Sequence, residues 1–277
     1  MPIVNGSGAA RHHWDLLASP WHLNEHIKDF PVPAGAITLA GPPDPDASEL
    51  QKLIGRFRDT AEAVSQADRP LMLACDCLTS LALVTGFQRR HRGISVIWLD
   101  AHGDFKTPAI STSGYLAGMS LAMLTGRAPE VISERLGLRP VPDERVVLID
   151  ARDLDPAERD ALEASRVRRL PADPSAARDA LSDLPAGGVY LHVDVDIIDG
   201  GDLPGLRFPT AGGPSFSDVE GCLEQIAAVA PPAAACIACA WQPDRIADEA
   251  TSRAIGRLAG VIGAELQWPA NSARRGQ

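Results

Sequence analysis

Short, almost wholly apolar runs recur along this chain, and each stops abruptly at polar residues. The runs at 71–75, 94–99, 146–149, 189–193 and 235–240 predict strands buried on both faces, the pattern of a parallel sheet. Between them, apolar positions recur at helical spacing. Leu50, Leu53, Ile54, Phe57, Ala61 and Val64 form one such stripe, with Asp46 or Ser48 placed to cap it. Further helices are predicted at about 79–90, 114–124, 175–184, 218–228 and 248–266, and one starting at Pro156, a residue suited to a first helical turn. Residues 36–40 predict a short buried strand and 167–170 a weak one; 199–214 is a Gly/Pro-rich loop. Residues 1–35 keep no clean period. Ile3-Val4 suggests a short strand, and His12, His13, Trp14, Trp21, His22 and His26 suggest surface loop and helix rather than a metal site. The tail from Pro269 is expected to fray.

Strand–helix alternation of this kind predicts an α/β fold with helices on both faces of the sheet. No repeat or linker interrupts it, so the 277 residues predict one domain, 1–277. With 45% hydrophobic residues a core forms without staples. The net charge of −10, without a basic run, argues against nucleic acid and acidic membrane surfaces as partners and favours cations. No apolar stretch reaches the roughly 18 residues of a bilayer span. The N-terminus shows no charged leader with an apolar core, and five cysteines lack framework spacing, so a cytoplasmic protein with free thiols is expected. Cys75 and Cys77 form C-x-C, not a redox C-x-x-C. No dinucleotide or P-loop glycine motif follows a strand.

The chemistry gathers where the apolar runs end. The run closing at Leu99 leads into Asp100, His102 and Asp104, at alternate positions that point the same way. Alone, this could be a polar loop with one buried histidine. The run closing at Val193 repeats the pattern with Asp194 and Asp196, and Cys77 follows the run at 71–75. Ligands of open α/β sheets bind beyond the carboxyl ends of the strands. Cys77, Asp100, His102, Asp104, Asp194 and Asp196 are therefore expected on one rim. Four carboxylates there repel one another, and two divalent cations would relieve that repulsion.

These motifs resemble those of the ureohydrolase family, which includes arginase, agmatinase and formiminoglutamase. Asp100-Ala101-His102-Gly103-Asp104 is similar to the family's D-A-H-x-D motif. His192 to Asp199 is similar to the carboxylate pattern of S-x-D-x-D-x-x-D, and Ala74-Cys75-Asp76-Cys77 stands where G-G-D-H-S would be. The resemblance covers most of 70–245. It implies a three-layer α/β/α arginase–deacetylase fold with a mainly parallel sheet, and two divalent metal ions, manganese in the family. By the same resemblance Asp100 and Asp194 bridge the ions, Cys77 and Asp104 complete one, and His102 and Asp196 complete the other. Asp104 is then also the catalytic carboxylate that passes a proton.

Residues 107–114 resemble the arginase loop that reads the substrate α-carboxylate, with Ser113 at the matching place. Residues 152–156 resemble the segment that reads the α-amino group, with Asp155 there; Asp155 could equally cap the next helix. Three departures stand out. Cys77 replaces the ligand histidine, which favours softer ions, or it is a buried cysteine that binds nothing. Ala117 stands where arginases carry a histidine thought to shuttle protons. Ala240 stands where a glutamate grips the guanidinium; Asp244 or Asp248 could substitute. The cysteine, and Gly103-Asp104-Phe105-Lys106-Thr107-Pro108 followed by Gly114-Tyr115-Leu116-Ala117-Gly118-Met119, are similar to the Nω-hydroxy-L-arginine hydrolase branch. The expectation is a hydrolase of a small guanidino or N-hydroxyguanidino amino acid, compatible with a homo-oligomer. The alternatives are another amidine, formimino or peptidyl-arginine substrate, or a degenerate member that binds without turnover. A mononuclear zinc deacetylase would leave Asp104 and Asp196 idle.

Overall fold

The computed structural model describes residues 13–41, 46–238, 240–242, 245–246 and 248–269. Ile3-Val4, His12, Asp244 and the tail beyond Pro269 lie outside them. The strands are β1 (Asp15–Ser19), β2 (Trp21–His22), β3 (Glu25–His26), β4 (Ile37–Thr38), β5 (Pro70–Ala74), β6 (Ser95–His102), β7 (Val146–Asp153), β8 (Arg168–Leu170), β9 (Val189–Asp194) and β10 (Ala234–Ala238). β2 and β3 pair as a small antiparallel ribbon. The other eight form one sheet in the order β4-β1-β5-β10-β9-β6-β7-β8, every neighbouring pair parallel.

Alternation along the strands divides the core in two. On β6, Val96 and Trp98 face one side, with Phe57, Leu81 and Leu121; Ile97 and Leu99 face the other, with Leu223 and Leu258. Helices α1 (Glu49–Gln66), α2 (Thr79–Arg90), α3 (Ser120–Leu124), α4 (Ser133–Leu136) and α5 (Pro156–Glu163) pack on the first face. Helices α6 (Pro174–Leu181), α7 (Phe216–Val229) and α8 (Glu249–Val261) cover the second. The fold is thus the expected three-layer α/β/α sandwich.

Helix starts follow side-chain chemistry. Ser48 caps α1 in a capping box with Gln51. Ser215 caps α7, and Asp218, expected at its start, instead sits a turn in and reaches back to Ser215 N (3.0 Å). Several expectations are corrected. β1 was not foreseen in 1–35; its five residues are too short for periodicity, and Asp15 Oδ2 pins them by accepting from Asp68 N (2.7 Å) and Arg69 N (3.1 Å). The strand expected buried at 36–40 shrinks to β4, an edge strand with Ile37 59% exposed. The helix expected at 114–124 is a 3-10 turn, Ala117–Met119, leading into α3, and α8 ends at Val261 rather than 266. Among the described residues no helix is long and apolar enough to cross a membrane. Cys75, Cys77, Cys222 and Cys236 are free and buried.

Candidate metal centre

The carboxyl ends of β5, β6 and β9 converge at one place. After β5, Asp76 Oδ1 accepts from Thr79 N and Oγ1 (both 3.0 Å) at the head of α2, and Oδ2 accepts from Leu23 N (2.6 Å). That loop presents Cys77, whose thiol donates to Asp194 Oδ2 (2.8 Å). β6 pairs with β7 as far as Asp100, and the register then slips before His102. Trp98 Nε1 donates to Asp100 Oδ2 (3.1 Å) and His102 N to Asp100 Oδ1 (2.7 Å). His102 Nδ1 lies 3.1 Å from Asp196 Oδ2 and 3.4 Å from Asp100 Oδ1. At the end of β9, Asp196 N donates to Asp194 Oδ1 (2.9 Å), and Ala101 N to Asp196 Oδ1 (3.3 Å).

The donors fall into two groups, each with one atom per residue within 4.8 Å of all the others. One is Cys77, Asp100, His192 and Asp194; the second is Asp100, His102 and Asp196. Asp100 belongs to both. Asp104 belongs to neither, though its carboxylate lines the same cavity and its Oδ2 is buried without a hydrogen-bond partner.

Burial pushes the Asp104 and Asp194 carboxyls well above the usual range, and neighbouring carboxylates add to the effect. Burial and the Asp100 charge raise Asp196 to about 6. Burial also pushes the Cys77 thiol up, helped by Asp194, Asp104 and Asp100. At Asp100 burial opposes ionisation, but the hydrogen bond and charge of His102 hold its carboxyl below the ordinary value. His102 resists its own burial and is pushed up to about 12 by hydrogen bonds to Asp100 and Asp196. One imidazolium therefore faces more acidic groups than it can neutralise. Asp104 Oδ2 and His192 Nε2 remain buried and unpartnered. Buried acceptors left in this state fit divalent cations, which supply the missing charge and coordination.

The cavity above these donors measures about 140 Å³. Its wall includes Lys106, Tyr115, Ala117, Glu158, Phe208 and Ala240. Lys106 Nζ pairs with Asp155 Oδ2 at 2.6 Å and lies 3.8 Å from Glu158 Oε2. Asp155 occupies the N-cap position of α5 but makes no side-chain cap bond; its carboxylate turns to Lys106 instead. Ser113 is exposed, and its hydroxyl accepts from Tyr115 N (3.2 Å). His22 is in neither donor group. It bridges Cys75 O (3.1 Å) and Tyr115 OH (3.2 Å), behind the cavity wall. Asp199, the last acid of its motif, organises the following loop by accepting from Gly201 N (2.8 Å) and Gly213 N (3.0 Å). Arg152 fastens that loop through Ile197 O (3.0 Å) and Thr210 O (2.8 Å).

His192, Lys106 and Glu158 were not foreseen. His192 sits inside an apolar run, Lys106 in a loop, and Glu158 on a helix whose other charges face water. No local pattern distinguishes them.

The family model of the arginase family matches residues 5–261 of the chain. The chain belongs to the arginase family. Among relatives of this arginase-family protein, the Nω-hydroxy-L-arginine amidinohydrolase of Streptomyces lavendulae is 32% identical over 176 residues, 59% of this chain and 62% of the relative. The arginase of Bacillus subtilis is 31% identical over 229 residues, 78% and 76% of the two chains. The alignments to the Streptomyces lavendulae protein and to a Staphylococcus aureus arginase span only 62% and 58% of those relatives. The crystal structure of Bacillus cereus arginase superposes with a TM-score of 0.78 at 22% identity, covering 92% of this chain and all of that one, which shows the shared fold.

Proposed function

We propose that this arginase-family chain is a two-metal hydrolase. It cleaves a C–N bond of a guanidino or N-hydroxyguanidino amino acid, Nω-hydroxyarginine foremost, to an ornithine-like product plus urea or hydroxyurea. The observation that carries the reading is the pair of donor groups sharing Asp100, whose members Cys77, His102, Asp194 and Asp196 line a small cavity. In this reading Cys77, Asp100, His102, Asp104, Asp194 and Asp196 hold two divalent ions, manganese or a softer ion given the thiolate. Bound ions would supply a water acidified toward neutral pH.

The chain's own groups do the rest. Asp104 Oδ2, buried and unpartnered, is suited to hold and pass a proton beside the reacting carbon. Lys106 Nζ and the Asp155 carboxylate, paired at 2.6 Å, offer opposite charges that match the carboxylate and ammonium of an amino-acid head group. Ser113, further out, adds a hydroxyl. Ala117 and Ala240 put methyl groups where a proton donor and an anion would serve a fully charged guanidinium. A hydroxyguanidine is less basic and needs both less.

The test is release of the amine product by the metal-reconstituted protein: ornithine from hydroxyarginine and arginine, putrescine from agmatine. Hydroxyarginine should exceed arginine in kcat/KM by at least about tenfold, and agmatine should be a poor substrate. Equal rates with arginine sink the hydroxyguanidine reading; no turnover of any guanidino compound sinks the whole.

A further inference from the structure

The first donor group contains a residue that the metal set of the preceding section does not use. His192 is wholly buried, two residues before Asp194 on the same face of β9. Its ring stacks on Trp98, its register partner on β6, with centroids 3.6 Å apart. Nδ1 lies 2.9 Å from Ser80 Oγ, at the head of α2. Nε2 has no partner. A ring nitrogen of His192 lies within 4.8 Å of donor atoms from Cys77, Asp100 and Asp194. Were His192 a packing residue alone, the fold would leave a polar nitrogen unsatisfied in its interior, at a real cost.

We propose that His192 is a metal ligand, and that Cys77, Asp100, His192 and Asp194 form a four-donor site for one ion. The inference rests on the two-metal reading and adds a residue to it. With the ring proton on Nδ1 and donated to Ser80 Oγ, the Nε2 lone pair is free to ligate, the arrangement that orients ligating histidines generally. The Trp98 stack fixes the ring plane, so Ser80 and Trp98 are positioning residues. An imidazole rising from within the sheet thus makes up for the imidazole that Cys77 displaces on the loop. The two sites become unequal. A thiolate and an imidazole with two carboxylates suit a borderline ion such as Zn²⁺ or Co²⁺ better than Mn²⁺; Asp100, His102 and Asp196 suit a harder ion.

X-ray absorption on wild-type protein reconstituted with Co²⁺ tests this without a variant. Two imidazoles per pair of ions are expected, from His102 and His192; one imidazole per pair overturns the proposal. His192→Phe keeps a ring against Trp98 and removes the donor. Its cobalt content by mass spectrometry should fall from two ions to about one per chain, with loss of the near-ultraviolet thiolate-to-cobalt band. Ser80→Ala should weaken the same ion about 10–100-fold. A folded His192→Phe that binds both ions with wild-type affinity also overturns the proposal. If that variant does not fold, the wild-type absorption measurement decides. Two ions and two imidazoles without hydroxyarginine hydrolysis would leave His192 a ligand and remove the substrate reading; hydrolysis with a single imidazole would do the reverse.

Discussion

Gly103, in the middle of Asp100-Ala101-His102-Gly103-Asp104, is a glycine because of its neighbours. A Cβ there would lie 2.7 Å from both Glu158 Oε1 and Leu154 Cδ2. Glu158 is 2% exposed and accepts from Phe105 N at 2.9 Å, so it carries the loop that presents Asp104 and Lys106. Gly103→Ala should displace that carboxylate, cost about 1–3 kcal/mol in urea unfolding and lower kcat/KM. Wild-type stability and turnover in the variant would contradict this role. Lys106→Met tests the head-group contact differently. It should raise KM about tenfold or more with little change in kcat; an effect on kcat alone would place Lys106 in the chemistry instead. At this scale the sequence was legible where a donor closes an apolar run. Asp100, His102, Asp194, Asp196 and Cys77 all do so, because the same strand ends that expose them also terminate the hydrophobic pattern. His192 was hidden because it lies two positions inside such a run, and only the stack on Trp98 and the register of β9 with β6 bring it to the site.

Elements are joined around the site by ion pairs rather than by the sheet alone. Arg127, just after α3, donates from both terminal nitrogens to Asp143, just before β7, at 2.8 Å each, and its guanidinium lies 4.3 Å from the centre of the Phe105 ring. The Arg127 hydrogen bonds, with help from Arg166, hold the Asp143 carboxyl below its ordinary value. A carboxyl lowered by folding binds its proton less tightly in the native state, so its contribution to stability is full above the unfolded value of about 3.9. That contribution disappears as pH falls through the lower native value. Asp143→Asn should therefore cost about 1–2 kcal/mol near neutral pH, and urea titrations should show the gap to wild type closing in acid. A gap that stayed constant all the way down the acid limb would rule out the ion pair as its source. Long elements such as α1 and α2 were readable from periodicity and caps. β1, β4 and the turn before α3 were not, because two to five residues give no period, and their positions are set by partners distant in sequence, such as Asp15 with Asp68 and Arg69.

For the whole molecule, the sandwich buries Asp100, Asp104, Asp194 and Asp196 within one small region. Divalent ions that bind only the folded chain stabilise it by mass action. Chelation should lower Tm by about 5 °C or more, and readdition of Mn²⁺ or Co²⁺ should restore it; a Tm indifferent to chelator would deny the cavity a structural ion.

The strand order carries a last consequence, for how the chain is made. Among the described residues β10 is the last strand along the chain, yet it lies between β5 and β9 at the centre of the sheet. Until residue 238 has left the ribosome, β5 has no neighbour on that side, and Cys77 and Asp194 have no fixed distance between them. The nascent chain can build the β6–β7–β8 half early, since its strands follow one another, and must hold β5 open for a late insertion. Such an intermediate exposes two unpaired strand edges to other chains during translation. Cys77 thus joins Asp194 late, when a strand that supplies none of the paired donors slides in between β5 and β9.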